Sequence, residues 1–435
     1  MRKLFLLELN ELNFDLAWKY IDNGVALPGF ERLRSDFVLR RTSSELKYEN
    51  LEPWIQWPSV HTGKTFQNHK IFRLGDAVNY SGRQLFEDLE DMGVRVGCIS
   101  PMNASNNMSS PCYFVPDPWT ATESDGSLIS RLLTDALRQS VNDNASSKLT
   151  VKTVASLLLC CCCLIRPTRL PKLMYSGLRS FGRPWRRALF LDELLWEFHA
   201  NLFARKRADF SVLFLNAGAH IQHHYLLNSP HVEAEASNPS WYIKPEEDPF
   251  LEMLRRYDGM LCDLPSDSET IIATGLTQRA FADPVFYYRL RDHSAFLNKL
   301  GIPHVEVKPR MTRDFLVVFR SPLEAERARD ILESCMVDGI YRCFEEVELR
   351  GCELFVVLTF PREITSATKL TLENNELKLC EHVSFVAIKN GEHDGQGYCF
   401  STGNVDVDEF EDEAHISTIY NVITKFFHMR AGQQI

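Results

Sequence analysis

The segment FSVLFLNAGAHIQHHYLLN (Phe210 to Asn228) passes from an apolar run into three histidines, His220, His223 and His224. Imidazoles set that close behind a strand are disposed to share a metal ion, since each offers one neutral nitrogen and the strand end gives them a common direction. Asn216 stands where such a site asks for an acid. Its carbonyl oxygen is a ligand without charge, so a dication held there is bound more weakly. A second chemically capable stretch is EPWIQWPSVHTGKTFQNHKIF, from Glu52 to Phe72. Glu52 sits beside Trp54 and Trp57, and partial desolvation there would raise a carboxyl toward the range useful for proton transfer. The two tryptophans suit stacking on a sugar ring or a base, and equally suit a core. Arg73 follows His69 toward the same region and is a candidate phosphate clamp. Between Glu49 and Trp57 there is no Ser, Thr or Cys. A third stretch, NGEHDGQGYCFSTG, supplies His393.

The elements that must position these groups read as alternating strands and helices. LFLLEL, VRVGCIS, DFSVLFLNA and SETIIATG are buried-strand runs. GRQLFEDLEDMG and DPFLEMLRRYDGMLCDL have helical spacing. That alternation predicts an α/β fold: a doubly wound, mainly parallel sheet with helices on both faces. In such sheets chemistry gathers beyond the carboxyl ends of the strands, where Asn10, Asn216 and Gly275 fall. Strand alternation puts Glu8 and Asn10 on one face and Glu11 on the other, so Glu11 reaches the cleft only from a loop, or else starts the next helix. From about Pro303 the texture changes. DFLVVF, then SPLEAERARDILESCM with Ser321 as N-cap, then a hairpin turning at Arg350–Gly351, suggest a small α+β insert. The expected division is a core over 1–302 and 366–435, an insert domain over 303–365, and a second candidate insert over 120–191.

Taken in order, these segments resemble the alkaline phosphatase superfamily, in particular its type I phosphodiesterase and nucleotide pyrophosphatase branch. The family's first strand ends in Asp-Gly, where this chain has Asn10 and Glu11. Its Thr-Gly and following His-x-Ile appear as Thr62-Gly63 and His69-x-Ile71. Its D-x-x-x-H pair appears as Asn216 and His220, and its strand-end Asp-His as Gly275 and Leu276. Its late G-x-H segment appears as Gly391, His393 and Gly397, with Gly403 one residue late, and a closing helix is echoed by Asn421 and Thr424. The resemblance implies phosphate- or sulfate-ester chemistry at paired metals. Residue by residue it yields a first metal position of Asn216, His220 and His393, with His223 or His224 as substitutes, and a second reduced to Asn10. The position of the nucleophile, nine residues before Thr62, is Pro53, with Glu52 adjacent. Proline has no nucleophilic atom, so the covalent phosphoenzyme route is closed.

The expectations are therefore one weakly held divalent ion, Zn or Mn, or none. Glu52, His220 and His393 are the catalytic candidates, and Trp54, Trp57, Arg73 and His69 the substrate-binding ones. The implied substrate is a phosphoester or activated sugar, because relatives with an EPWIQW-like segment look like proteins of bacterial surface-polysaccharide pathways. The alternatives are an inactive family member acting as a binding or scaffolding protein, and a glycan-related transferase.

A net charge of −10 argues against general nucleic-acid binding. Twelve scattered cysteines, four of them consecutive at 160–163, suggest reduced thiols and a cytoplasmic chain. VASLLLCCCCLI (Val154–Ile165) is too short to cross a bilayer. Seven cations from Arg166 to Arg187 follow it with no acid before Asp192. The stretch 154–187 thus reads either as a buried helix and a solvated loop or as peripheral contact with an anionic membrane.

Overall fold

The computed structural model describes residues 2–142, 151–310, 313–372, 375–406, 410 and 413–428. Its main sheet is built on six strands that precede residue 280: β1 (Leu4–Leu9), β2 (Phe37–Ser43), β3 (Val96–Ile99), β4 (Tyr113–Val115), β5 (Phe210–Leu215) and β6 (Glu269–Ala273). Two late strands complete it, and the spatial order is Ala414–His415, β2, Gln396–Thr402, β6, β1, β5, β3, β4. From β6 to β4 every pairing is parallel, with Leu4 opposite Phe210 on one side and Glu269 on the other. The Gln396–Thr402 strand runs antiparallel between β6 and β2.

Strand alternation assigns the two faces. Leu4, Leu6, Phe210, Val212 and Phe214 join a core with Trp57, Leu85, Phe86, Ile419 and Ile423, from the helices Pro53–Thr62, Leu85–Asp91 and Thr418–His428. Phe5 points the other way, onto Trp196, His199 and Phe203 of the Pro184–Lys206 helix. Ser211, also on that face, hydrogen-bonds His199 at 2.9 Å. Helices thus cover both faces of a mainly parallel sheet, as the alternating pattern requires. The expected run β1, β3, β5, β6 and the helices Leu85–Asp91 and Pro249–Cys262 are all present.

The chain divides into two units, one of residues 1–233, 243–280 and 391–435, the other of 234–242 and 281–390. The second holds the β-α-β-β pattern read from sequence: Asp314–Val318, the Pro322–Glu333 helix capped by Ser321, and the antiparallel pair Glu346–Arg350 and Glu353–Val357. Its limits are wider than 303–365. The short 234–242 part is joined at both ends by irregular chain, whereas the main part is entered within the strand Thr277–Leu290 and left within Val383–Asp394, so no loop signal marks those two crossings. The stretch 120–191 is no separate unit. Its described part forms the helices Leu128–Asn142, Val151–Leu164 and Leu170–Arg179 of the first unit. All twelve cysteines are free thiols. No described helix is long and apolar enough to cross a membrane.

Candidate metal and active site

β1 ends at Leu9, and the next two residues form a turn in which Glu11 takes the left-handed φ of 60°. A non-glycine residue there is strained, and such strain is held only where the surroundings over-determine it. The surroundings here are specific. The backbone N–H groups of Asn10 and Glu11 donate to Leu215 and Thr274 at 3.0 and 2.9 Å. Gln222 donates to the carbonyl of Glu11 at 2.8 Å and accepts from the Asn13 N–H at 3.0 Å. The turn breaks the strand's alternation and swings Glu11 into the cleft. Asn13 caps the following helix, so Glu11 is not spent as a cap.

The Glu11 carboxylate is almost wholly buried, and two imidazoles meet it. His223 Nε2 lies 3.0 Å and His393 Nε2 3.3 Å from Glu11 Oε2, and the two nitrogens are 3.3 Å apart. Among the described residues this is the one group of three ligand-type side chains close enough to hold an ion. Burial alone would raise the Glu11 pKa. The positive charge of His223 and His393, with their hydrogen bonds, outweighs burial and holds the carboxyl well below its usual range. Gln278 also donates to Glu11 Oε2.

Each ligand is placed by its element. His223 lies on the Ala217–Tyr225 helix, which starts directly after β5. Asp192 accepts from the Ala217 N–H at 2.8 Å and from Tyr257 Oη at 2.6 Å, anchoring the start of that helix from a neighbouring one. His393 lies near the end of the Val383–Asp394 strand. Two residues earlier, a Cβ on Gly391 would collide with Gln278 Oε1 and come within 2.8 Å of the Gln222 carbonyl. Glycine there lets the strand close on both glutamines.

The remaining candidates fall as follows. Asn10 and Asn216 lie beside the cluster and bond to each other. Asn10 Nδ2 donates to Asn216 Oδ1 at 2.8 Å and to Glu11 Oε1 at 3.1 Å, and Trp57 Nε1 donates to Asn10 Oδ1 at 2.8 Å. The amides are thus engaged with one another. His220 lies outside the trio, its ring 4.9 Å from that of His224, and burial lowers its pKa to about 4. His223 takes the place expected of His220 because helix phase, invisible in the spacing of the three histidines, points it at Glu11. Glu52 Oε2 stands 3.7 Å from His393 Nδ1, an ion-pair distance longer than a hydrogen bond. Trp57 is fully buried and edges onto Phe214, so it is core and not a stacking platform. Trp54 turns its Nε1 to the Phe72 carbonyl at 3.2 Å. His69 is buried with its Nε2 3.0 Å from Ser59 Oγ and its Nδ1 accepting from Ile71, and burial lowers its pKa to about 4. Both ring nitrogens are used inside the fold, so His69 is not free for substrate. Arg73 is exposed. Gly275 takes φ 77° against Trp57, and Leu276 is fully buried. Pro53 is the first residue of its helix.

The residues that sequence reasoning missed are the two glutamines and Asp192. Neutral amides carry no signal of chemistry, and Asp192 lies far from the histidines in sequence.

No family model matches the sequence, and no curated protein matches it. Comparison of solved structures finds similarity to a phosphonoacetate hydrolase from Sinorhizobium meliloti in complex with phosphonoformate, at 11% identity over 98% of this chain and 96% of that one, with a TM-score of 0.43. A murine ectonucleotide pyrophosphatase/phosphodiesterase 5 is similar at 10% identity over 98% and 95%, with a TM-score of 0.41. Alkaline phosphatase from the Antarctic bacterium TAB5 is similar at 9% identity over 98% of both chains, with a TM-score of 0.39.

Proposed function

We propose that this chain is a divergent member of the alkaline phosphatase superfamily that holds one divalent metal, Zn or Mn, at Glu11, His223 and His393 and acts there on a phosphoester or activated sugar. The carrying observation is the triangle formed by the three donor atoms, with sides of 3.0, 3.3 and 3.3 Å. Ligands about 2.0–2.1 Å from a tetrahedral ion stand roughly 3.3 Å apart, so the donor set fits a three-ligand site with a fourth position open. One carboxylate and two imidazoles suit Zn or Mn.

A bound metal would supply Lewis-acid polarisation of a phosphoryl oxygen. The chain's own residues do the rest. Glu52, near His393 Nδ1, favours the tautomer that keeps the proton on Nδ1 and leaves Nε2 facing Glu11. Its side chain is 31% exposed, so it is also the group placed to take a proton from an attacking water or acceptor hydroxyl. Pro53 offers no nucleophile, so transfer goes directly to that acceptor. The motif resemblance points to a glycan precursor as substrate, and an acceptor other than water would make the same cleft a transferase.

A second reading has its own support. Asn10, Gly275 and Leu276 leave the family's second metal position with no anionic ligand, which fits a protein that binds substrate without turning it over. Elemental analysis of the purified chain, with hydrolysis assays on sugar phosphates and nucleotide sugars, separates the two. The enzyme reading expects about one metal per chain, lost in Glu11→Gln together with turnover. Metal-free protein that stays inert with every divalent ion overturns it. Saturable, metal-independent binding of the same compounds would establish the second reading.

A further inference from the structure

The Leu170–Arg179 helix is inside out. Its inward positions carry Leu173 and the two serines Ser176 and Ser180, with Ser176 donating to Glu193 and Ser180 to the Gly177 carbonyl. Its outward positions carry Met174, Tyr175 and Leu178, and Phe181 continues the stripe just beyond the helix. These four are 68, 58, 69 and 80% exposed. The spacing i, i+1, i+4, i+7 is one continuous face of a helix, normally the face that meets a core. Leu158 and Leu159 on the preceding Val151–Leu164 helix are exposed as well.

The stretch from Arg166 to Arg187 that contains this helix carries cations and no acid. Of the seven cations from Arg166 to Arg187, four are paired with acids from elsewhere in the fold: Arg166 with Glu197, Arg169 with Glu197 and Asp263, Arg183 with Glu247 and Arg186 with Glu252. Lys172, Arg179 and Arg187 make no ion pair among the described residues. Arg179 lies over the Tyr175 ring at 5.7 Å, at the edge of the apolar face. A second copy docking face to face would bring these cations against themselves, which disfavours self-association.

We propose that this helix lies in the interface of an anionic lipid bilayer, with Met174, Tyr175, Leu178 and Phe181 inserted among the acyl chains and Arg179 at the headgroups. A helix that is apolar on one side, with cations at its border, binds such surfaces through apolar burial and attraction to acidic lipid together. The described part of the cysteine-rich Val154–Ile165 run turns Cys160, Leu164 and Ile165 inward and leaves Leu158, Leu159, Cys162 and Cys163 exposed beside the proposed anchor, while four of the seven cations of the basic belt are paired with acids of the fold. This surface is independent of the metal site.

The test is co-sedimentation of the full chain with vesicles of phosphatidylglycerol and phosphatidylethanolamine, against vesicles of phosphatidylcholine alone. Binding is expected to the anionic vesicles and to weaken as salt is raised. Leu178→Glu with Phe181→Glu should lower the partition coefficient roughly a hundredfold, and Arg179→Glu about tenfold. All three residues are exposed, so thermal unfolding of both variants should match the parent. No binding to either vesicle, or equal binding by parent and variants, overturns the proposal. So does a concentration-dependent dimer in light scattering that Leu178→Glu abolishes, since a second copy would then cover the face.

Discussion

Glu11 shows how one residue escapes a sequence rule. Alternation along β1 places its side chain on the face opposite Asn10, and that holds only while the strand lasts. The strand stops at Leu9, and the φ of 60° at Glu11 resets the direction. Sequence could say that a loop would free Glu11, but not that the strand ends two residues before it. The three histidines pose a similar problem. His220 and His223 sit one turn apart on the same helix, and only its roll about its axis separates the proposed ligand from the bystander. The two therefore have opposite expected outcomes. His223→Ala should weaken Zn or Mn binding by roughly a hundredfold or more, whereas His220→Ala should leave stoichiometry and affinity close to the parent. Calorimetric titration of each variant with the metal alone distinguishes them, and equal losses would return His220 to the site.

At the scale of elements, much was legible. Buried strands, the Pro249–Cys262 helix and the Ser321 cap follow from composition and spacing that act locally. The Thr62-Gly63 pair, a family signal in the sequence, also has a plain structural role, because Gly63 ends the Pro53–Thr62 helix in a left-handed conformation, φ 66°. A Cβ there would come within 2.8 Å of the Tyr420 ring. Gly63→Ala should lower stability by roughly 1–3 kcal/mol through backbone strain and that clash, and urea midpoints measure it. The effect on the metal site should be indirect, so metal affinity under native conditions should be unchanged. What was not legible at this scale is the border of the second unit. Domain edges are usually sought in loops, and here the two crossings that bound its main part fall inside continuous strands.

At the scale of the molecule, burial sets the acid stability. His199 is enclosed between Phe5 and Phe203, and burial depresses its pKa to about 3. Burial likewise depresses His69 and His220 to about 4. The folded chain keeps these rings neutral while the unfolded chain protonates them near pH 6.5. Their contribution is therefore intact above that value and drains away as pH falls toward the folded pKa. Between pH 7 and 5 the share of His199 alone is about 2 kcal/mol. His199→Gln should flatten the difference between denaturation midpoints at those two pH values. A variant with the parent's full pH dependence would contradict the assignment. The mainly parallel sheet and its two helical layers were predictable, because strand–helix alternation admits few other architectures. Acid sensitivity was not, since no pattern in the sequence says which histidines end up enclosed.

The bond between Asn10 and Asn216 bears on the order in which the protein matures. The two amides bond to each other without a counter-ion, so the chain can complete its fold before any metal arrives, and the proposed metal would load late. With Asn10→Asp and Asn216→Asp together, three carboxylates, including Glu11, would stand close together beyond the ends of β1 and β5. Two mutually repelling acids at that distance raise each other's pKa and destabilise the fold unless a cation lies between them. The double variant should thus need Zn or Mn to refold from urea, where the parent refolds in chelator. On this view the paired amides uncouple assembly from metal supply, and a cell short of metal would still hold a folded, receptive protein.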